Sequence, residues 1–289
     1  MKLKKSTLFF YSLAEMPINI ALFPILVFIP KFYTGEMGVP LALAANIILA
    51  VRIFDVFTDP VVGYINDRTN TKWGRRRPWI AIATPLLMVS IYMLFIPPEG
   101  AGALHLFLWM FLLSIGTTML IIPYYAWGAE LSPDYNERSR ITGWRSISGV
   151  VGSLSAQLIP TIALVFFGLG GSTNVLYIVG IASVIIMPIC VFFTVLKVPE
   201  SKDYVQSNIS PIKGFKIMLE NSPFKRLIMA FMFGGFAFSI TIPLYLFLYF
   251  SMHGVRDFLM TLEIIEPSPK KGLSSTDFFI CVSRINLSS

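Results

Sequence analysis

Long apolar stretches recur along this sequence, and they constrain its fold more than any other feature. A helix needs about 20 apolar residues to cross the hydrocarbon core of a bilayer. Runs of that length occupy residues 8–32, 40–65, 79–98, 104–130, 142–168, 174–197 and 227–250. The composition agrees, because 55% of the residues are hydrophobic and 13% are charged, unlike a soluble domain. We therefore predict an all-α, polytopic membrane protein.

Basic residues gather on alternate loops between these runs, as the positive-inside rule expects. The basic loops carry Lys2, Lys4, Lys5, Arg68, Lys72, Arg75, Arg76, Arg77, Arg138 and Arg140, with further lysines and an arginine between residues 197 and 226. We therefore expect a multi-pass protein of the cytoplasmic (inner) membrane with its amino terminus in the cytoplasm. The net charge of +7 follows from this topology, so it favours contact with anionic membrane lipid and not with nucleic acid.

The spacing of the runs predicts four segments. Residues 1–197 would form a six-helix transmembrane bundle, and residues 198–226 a cytoplasmic linker between bundles. Residues 227–250 would be a seventh transmembrane helix, which begins an incomplete second bundle. Residues 251–289 contain no further run long enough to span a bilayer, so we expect a polar, non-spanning tail. This pattern predicts a C-terminal truncation or a shifted reading frame near residue 250.

The second apolar run carries three charges, at Arg52, Asp55 and Asp59, with Thr58 beside them. The spacing places all three on one face of a helix. Each charge costs about 2.5–3.5 kcal/mol at membrane depth, so this face must contact protein or water. One interpretation is an internal salt bridge from Arg52 to Asp55 that locks helices together. The other is an oxygen cage for a small cation or a proton, since Asp59 is a second carboxylate.

A polar loop, "GYINDRTNTKWGRRRP" at residues 63–78, follows this helix. It resembles the loop signature of the major facilitator superfamily at Gly63, Asp67, Arg68, Gly74, Arg75 and Arg76. Glycine would let two antiparallel helices turn tightly, and the aspartate and arginines would form ion pairs that close a cytoplasmic gate.

Two longer stretches narrow this resemblance. "RIFDVFTDPVVGYINDRTNTKWGRRRPWI" at residues 52–80 and "IIPYYAWGAELSPDYNERSRITGWRS" at residues 121–146 resemble the glycoside-pentoside-hexuronide:cation symporter family of that superfamily. The resemblance covers residues 8 to about 250. It implies the superfamily's N-terminal six-helix bundle and a transporter that works by alternating access.

The resemblance also implies a site for sodium, lithium or a proton. In this family the site comprises two carboxylates and neighbouring polar groups on the second helix and a threonine on the fourth. The matching residues here are Asp55, Thr58, Asp59 and Thr118, with Asp55 and Asp59 as ligands of a sodium-type ion if the cation is not a proton. No other cofactor is implied. The family's best-known member has an amide-bearing residue where this chain has Thr58, so the identity of the cation stays open.

The implied substrate site comprises Glu15, Asn19, Ile121, Tyr125 and Arg145. Asn19 and Ile121 stand where the best-known member has two sugar-binding aspartates, and Glu15 could substitute for one of them. Tyr125 aligns with a tryptophan of the family's sugar site, and Arg145 with an arginine that lines the cavity. A cavity that has lost carboxylates and kept an arginine would suit an acidic sugar such as a hexuronide.

Three functional interpretations stay open. The first is a cation-coupled symporter of a sugar or glycoside. The second is a carrier of lysolipids or other amphiphiles with the same fold. The third is an inactive half-transporter, because the missing second bundle would supply half of the substrate cavity. An enzyme is not expected, because no zinc-protease or serine-hydrolase motif is present.

Overall fold

The computed structural model describes residues 2–168, 172–200, 217, 220–237, 240 and 244, and the structural statements below concern those residues. The chain divides into two compact units, residues 1–208 and 209–289. The regular elements in the described part of the chain are helices, which confirms the all-α fold class.

The first unit contains seven helices among its described residues. They are α1 (Lys5–Ser12), α2 (Glu15–Gly35), α3 (Leu41–Arg68), α4 (Arg77–Phe95), α5 (Ala103–Glu130), α6 (Tyr135–Phe167) and α7 (Ser172–Lys197). Five stretches of the described helices are long and apolar enough to cross a membrane: Leu41–Arg68, Arg77–Phe95, Ala103–Glu130, Tyr135–Ala163 and Asn174–Lys197. α2 has 21 residues, or about 31 Å of helix, and is not among these five stretches.

The first predicted helix, residues 8–32, is interrupted in the structure. α1 ends at Ser12 and α2 begins at Glu15, with Leu13 and Ala14 between them. Pro17 lies in the first turn of α2, where a missing backbone N–H is tolerated, so it suits the start of a helix. Hydropathy alone does not reveal this break, because Leu13 and Ala14 are themselves apolar.

α6 begins at Tyr135, seven residues before the predicted start at 142. The Asp134 carboxylate accepts the backbone N–H of Glu137 at 3.1 Å, which satisfies a donor that the first helical turn would leave unpaired. The first two turns of α6 carry charged residues, so hydropathy alone could not locate this start.

The second unit has one continuous described helix, at residues 222–237. Its start is fixed by Asn221, whose side-chain oxygen accepts the N–H of Phe224 at 3.2 Å. This helix overlaps the predicted seventh span. The tail at 251–289 and the linker residues 201–216 lie outside the described residues.

Aromatic side chains tie α1 to α5 in the core of the first unit. Tyr11 and Tyr124 are fully buried and stack with their ring centroids 4.6 Å apart. Each hydroxyl donates to the other residue's carbonyl, at 2.9 Å from Tyr11 and 2.8 Å from Tyr124. A Cβ at Gly128 would overlap the Tyr11 hydroxyl, so the absence of a side chain at Gly128 leaves the space that the Tyr11 side chain occupies. The contact fixes α5, which carries several candidate site residues.

Candidate functional site

Two carboxylate–hydroxyl pairs join α3 to α5. Ser114 Oγ donates to Asp55 Oδ1, and Thr118 Oγ1 donates to Asp59 Oδ1 at 2.7 Å. On each helix the two partners are four residues apart, which is about one turn, so the pairs lie one above the other along adjacent helices. Asp55, Asp59 and Thr118 are thus brought together, whereas Ser114 is an addition that the sequence analysis missed.

The Arg52–Asp55 ion pair of the first interpretation is present, with Arg52 Nη1 3.3 Å from Asp55 Oδ2. Both residues belong to α3, so the pair joins no two helices. The Arg52 side chain is 59% exposed and that of Asp55 is 18% exposed. Exposed ion pairs contribute about 0–1 kcal/mol to stability, so this pair is a weak reason for charges in an apolar helix. It also does not involve the second carboxylate, Asp59.

Thr58 is directed differently from the two aspartates. Its hydroxyl donates to the carbonyl of Phe54, one turn earlier on α3, at 3.1 Å. This bond is the usual local partner of a threonine inside a helix. Thr58 therefore lies beside the paired carboxylates in sequence, but its hydroxyl proton is used within its own helix.

Carboxylate and hydroxyl oxygens are hard donors, the kind that alkali and alkaline-earth cations prefer. α3 supplies Asp55 and Asp59, and α5 supplies Ser114 and Thr118, so the donor set fits a small monovalent cation. When bound, a cation would supply positive charge that offsets two carboxylates in an apolar helix pair.

Three predicted substrate residues form a second cluster, between α2, α5 and α6. Tyr125 Oη donates to Glu15 Oε1 at 3.1 Å, and Arg145 Nε lies 3.9 Å from Glu15 Oε2. The Arg145 guanidinium also stands 3.9 Å above the centre of the Tyr125 ring, within cation–π range. Glu15 Oε2 is buried and accepts no hydrogen bond within the described chain. This oxygen is therefore available to accept a hydrogen bond from a hydroxyl group of a ligand.

Close packing of α6 on α2 positions this cluster. A Cβ on Gly149 would lie 3.2 Å from Asn19 Nδ2, and one on Gly152 would overlap the carbonyl oxygen of Met16. Both contacts are tighter than ordinary packing, so glycine at these positions lets the helix backbones approach. Asn19 donates to the carbonyl of Glu15 at 2.9 Å, within its own helix. Arg145 lies one turn before Gly149 and so reaches Glu15.

Ile121, the fifth predicted substrate residue, has apolar surroundings. It lines a small pocket between α2, α4, α5 and α7. The other side chains around this pocket are Ile18, Ala21, Leu22, Ile25, Leu87, Ile91, Leu113, Thr117, Leu120 and Met187. Ile121 therefore contributes an apolar surface one turn from Tyr125.

The loop motif forms an ion-pair network at one end of the helices. Arg75 Nη2 and Arg76 Nη2 lie 2.5 and 2.7 Å from Glu130 Oε1, and Arg76 Nη1 lies 2.8 Å from Asp67 Oδ1. Arg76 also donates to Asn66 Oδ1. Burial alone would lower the pKa of the Arg76 guanidinium, but hydrogen bonds and charges from Glu130 and Asp67 outweigh it and raise that pKa. Arg76 therefore stays charged and holds the two carboxylates together.

The two motif glycines have different roles. Gly63 lies inside α3, and a Cβ there would meet Ile122 at an ordinary 3.8 Å, so this glycine is not part of the turn between α3 and α4. Gly74 has φ +117°, a conformation that favours glycine, and a Cβ there would overlap the Glu200 carboxylate. The Arg68 guanidinium lies 4.2 Å from the Tyr64 ring centre, beside the network.

Glu200, which sequence reasoning missed, anchors this loop. Its Oε1 accepts the backbone N–H groups of Arg75 and Arg76 at 2.6 and 2.8 Å, and its Oε2 lies 3.9 Å from Arg77 Nε. The only available signal was an acidic residue just after the sixth apolar run, "KVPES". Its partners lie more than 120 residues earlier, so no local pattern connects them.

Fold and site together define a helical membrane transporter whose polar residues lie between spanning helices. Residues 10–265 match a family described as MFS/sugar transport protein, and the chain belongs to this family. The resemblance found in the sequence is thereby confirmed. The protein is a multi-pass membrane protein of a transporter family and not an enzyme.

Curated relatives have related descriptions. The isoprimeverose transporter of Lactiplantibacillus pentosus is 30% identical over 74% of this chain and 46% of its own length. A glucuronide carrier protein homolog of Escherichia coli is 29% identical over 48% of this chain and 31% of its own length. Sodium-dependent lysophosphatidylcholine symporter 1 of Mus musculus is 27% identical over 74% of this chain and 47% of its own length. The chain spans about half the length of the curated relatives it matches.

Proposed function

We propose that this chain carries the cation and substrate sites of a cation-coupled sugar or glycoside symporter. The observation that carries the proposal is the double carboxylate–hydroxyl pairing between α3 and α5. Asp55 and Asp59 would bind sodium or a proton, with the amino terminus of the chain in the cytoplasm. The description of the family and of two sugar-related relatives supports the substrate class.

Cation binding has a physical reason to favour the loaded state. Two carboxylates one turn apart in an apolar helix repel each other and lose hydration when water is excluded. A bound cation would offset both costs. The occluded state of the transporter would therefore have a lower free energy with the cation bound than without it. Alternating access requires such a difference between the loaded and the empty transporter.

The sugar would bind at Glu15, Tyr125 and Arg145, with Asn19 and Ile121 beside them. The unfilled Glu15 Oε2 can accept a sugar hydroxyl, the Arg145 guanidinium can donate to hydroxyl or carboxylate oxygens, and Tyr125 offers a ring face. Thr118 and Tyr125 both lie on α5, seven residues or about 10 Å apart along its axis. A shift of α5 on cation binding would therefore move a substrate residue, which would couple the two sites.

Ligand binding to the purified 289-residue chain in lipid nanodiscs tests this function. The probes are isoprimeverose, a glucuronide and lysophosphatidylcholine, each measured with and without sodium and at two pH values. We expect sugar affinity to rise with sodium or with protons, and Asp59→Asn to remove that dependence. Arg145→Ala should weaken sugar binding and leave cation binding in place. Ser155→Ala is the control, because its exposed hydroxyl bonds within α6.

The outcomes separate the interpretations. Sugar binding that ignores both the cation and Asp59→Asn would refute the symporter proposal. Preference for a glucuronide over isoprimeverose, lost in Arg145→Ala, would support an acidic sugar. Binding of both ligands without movement across a liposome membrane would fit a half-transporter.

A lysolipid carrier is the second candidate function. The apolar pocket around Ile121 favours it, because ten further residues line the same space. The resemblance also implies that Ile121 replaces a sugar-binding aspartate of the family's best-known member. A relative described as a lysophosphatidylcholine symporter adds support. Binding of lysophosphatidylcholine in preference to both sugars, weakened by Ile121→Asp, would select this candidate.

A further inference from the structure

We propose that Ser114 supplies a cation-coordinating oxygen to the α3–α5 site, in the place expected for Thr58, and thereby sets the site's affinity for alkali ions. The inference rests on the proposed function, since it concerns the cation site of that symporter. Its starting point is a difference in direction: the Ser114 hydroxyl contacts Asp55, whereas the Thr58 hydroxyl contacts the backbone of Phe54.

The register of the two helices carries the argument. Asp55 and Asp59 are separated by four residues on α3, and Ser114 and Thr118 are separated by four residues on α5. Both contacts join residues 59 positions apart, so each aspartate has one hydroxyl partner at the same height. A site built from α3 alone would place all of its oxygens on one side of the cation. The serine and threonine supply neutral oxygens from a second helix.

The chemistry of a hydroxyl makes Ser114 suitable for this role. A serine oxygen has one proton to donate and two lone pairs to accept or coordinate. Ser114 can therefore orient Asp55 by donating to it and still present lone pairs to a cation. Ser114 is half-buried and Thr118 is 7% exposed, so water can replace these oxygens only in part. Removing the Ser114 hydroxyl should consequently lower alkali-ion affinity.

Sodium binding to the whole chain in nanodiscs tests the proposal without any transport step. Radioactive sodium reports binding, and competition by lithium reports selectivity. We expect Ser114→Ala to weaken sodium binding about tenfold, the effect of losing one good polar contact of about 1.4 kcal/mol. Ser114→Thr keeps the hydroxyl and should restore binding. Ser114→Cys keeps the size and replaces a hard oxygen by a soft sulfur, so it should resemble Ser114→Ala.

Two hydroxyl deletions serve as matched comparisons. Thr58→Val should change sodium affinity by less than about twofold, because the Thr58 hydroxyl is hydrogen-bonded to the backbone of Phe54 and not to either carboxylate. Thr117→Val on α5 should behave likewise, because the Thr117 hydroxyl donates to the carbonyl of Leu113 at 2.7 Å. Loss of binding in Thr58→Val with no loss in Ser114→Ala or Ser114→Cys would overturn the inference.

Asp59→Asn separates failure of this inference from failure of the proposed function. If Asp59→Asn abolishes sodium binding while the alanine and cysteine variants of Ser114 bind normally, the site stands and the role of Ser114 is refuted. If the unaltered chain binds no sodium, or Asp59→Asn has no effect, the sodium site itself is refuted and the inference fails with it. A changed lithium-to-sodium ratio in Ser114→Ala, with normal thermal unfolding, would support a direct contact with the ion.

Discussion

A single carboxylate, that of Glu200, determines the conformation of the loop between α3 and α4. It accepts two successive backbone N–H groups, from Arg75 and Arg76, and lies where a side chain of residue 74 would stand. Backbone donors bound to a charged acceptor form short and strong hydrogen bonds. Glycine at position 74 is therefore required twice, for its positive φ and for the space that Glu200 occupies.

Gly74→Ala should lower the free energy of unfolding by more than the backbone strain alone, which is about 1–3 kcal/mol. The added Cβ would overlap the Glu200 carboxylate and break the hydrogen bonds to Arg75 and Arg76. Thermal unfolding can be followed with a thiol-reactive dye at buried Cys190, in a Cys281→Ser background.

Gly100→Ala is the matched control for this substitution. Gly100 has φ +78° and nothing within 4 Å of its ideal Cβ, so alanine there meets backbone strain alone. The difference between the two variants reports the contact with Glu200, and that difference should shrink in a Glu200→Ala background. Equal losses at positions 74 and 100 would show that the contact does not matter.

At the residue level, the sequence predicted which residue types form the site better than it predicted which way their side chains face. Asp55 and Asp59 were recognisable because charged residues inside an apolar run must have partners, and Thr118 followed from the resemblance. Ser114 and Thr58 could not be told apart, since both are small hydroxyl residues and only helix packing decides which one faces the carboxylates. Glu200 was hidden for another reason: its partners lie far away in sequence.

Small residues on α6 control how closely this helix approaches α2. A Cβ on Gly152 would overlap the carbonyl oxygen of Met16 and lie 3.1 Å from Asn19 Cβ. A backbone carbonyl cannot rotate away as a flexible side chain can, so a larger residue must push the helices apart. The Glu15–Arg145 contact spans the same two helices and would lengthen with them.

Gly152→Ala should therefore destabilise the protein and weaken sugar binding together. Overpacking of this kind costs about 1–3 kcal/mol. Thermal unfolding at Cys190 measures the first effect, and sugar titration in nanodiscs measures the second. Sodium binding at α3 and α5 should change less, because α2 and α6 supply none of the four side chains of that site.

Gly143→Ala on the same helix provides the comparison. Nothing lies within 4 Å of an ideal Cβ at Gly143, so alanine there should stabilise the helix by about 0.5–1 kcal/mol. A Gly152→Ala variant that is as stable as Gly143→Ala, with unaltered sugar affinity, would contradict this account of the α2–α6 contact.

At the level of elements, apolar run length predicted the five described stretches that are long and apolar enough to cross a membrane, and it failed at two boundaries. Hydropathy does not reveal the break between α1 and α2, because Leu13 and Ala14, which form it, are apolar. The start of α6 lies in a charged stretch, where the capping carboxylate of Asp134 was a better signal than the apolar pattern. The close α2–α6 approach could not be derived from glycine positions alone, since Gly143 and Gly152 look alike in sequence.

All candidate site residues, from Glu15 to Arg145, lie within the first compact unit, residues 1–208. The proposed binding of a cation and a sugar can therefore be tested on this chain, although it spans about half the length of its curated relatives. Transport is a separate property, because alternating access needs movement of one helix bundle against another. Binding and transport assays on the same preparation distinguish the two.

The charges of the loops predict the orientation of the chain in the membrane, and this prediction can be tested directly. The loop after α3, with the helix ends that flank it, carries Lys72 and four arginines, from Arg68 to Arg77, whereas the loop after α4 contains Glu99 and no lysine or arginine. The membrane potential and anionic inner-leaflet lipids favour the basic loop in the cytoplasm. Both Lys72 and Gly100 are exposed, so a cysteine at either position can report its side of the membrane.

In a Cys281→Ser background, Gly100→Cys should react with a membrane-impermeant maleimide added to intact cells, and Lys72→Cys should react only after the membrane is permeabilised. Cys190 is buried and supplies the unreactive baseline. The excess of basic residues at 68–77 determines the expected orientation, so replacing one lysine among five basic residues should not change that orientation. Labelling of Lys72→Cys in intact cells, with Gly100→Cys protected, would show that the orientation is the opposite of the predicted one. The Glu130–Arg76 network would then lie on the outer side of the membrane. Glu200 would then anchor an external loop, and a cytoplasmic gate could not be built from these residues.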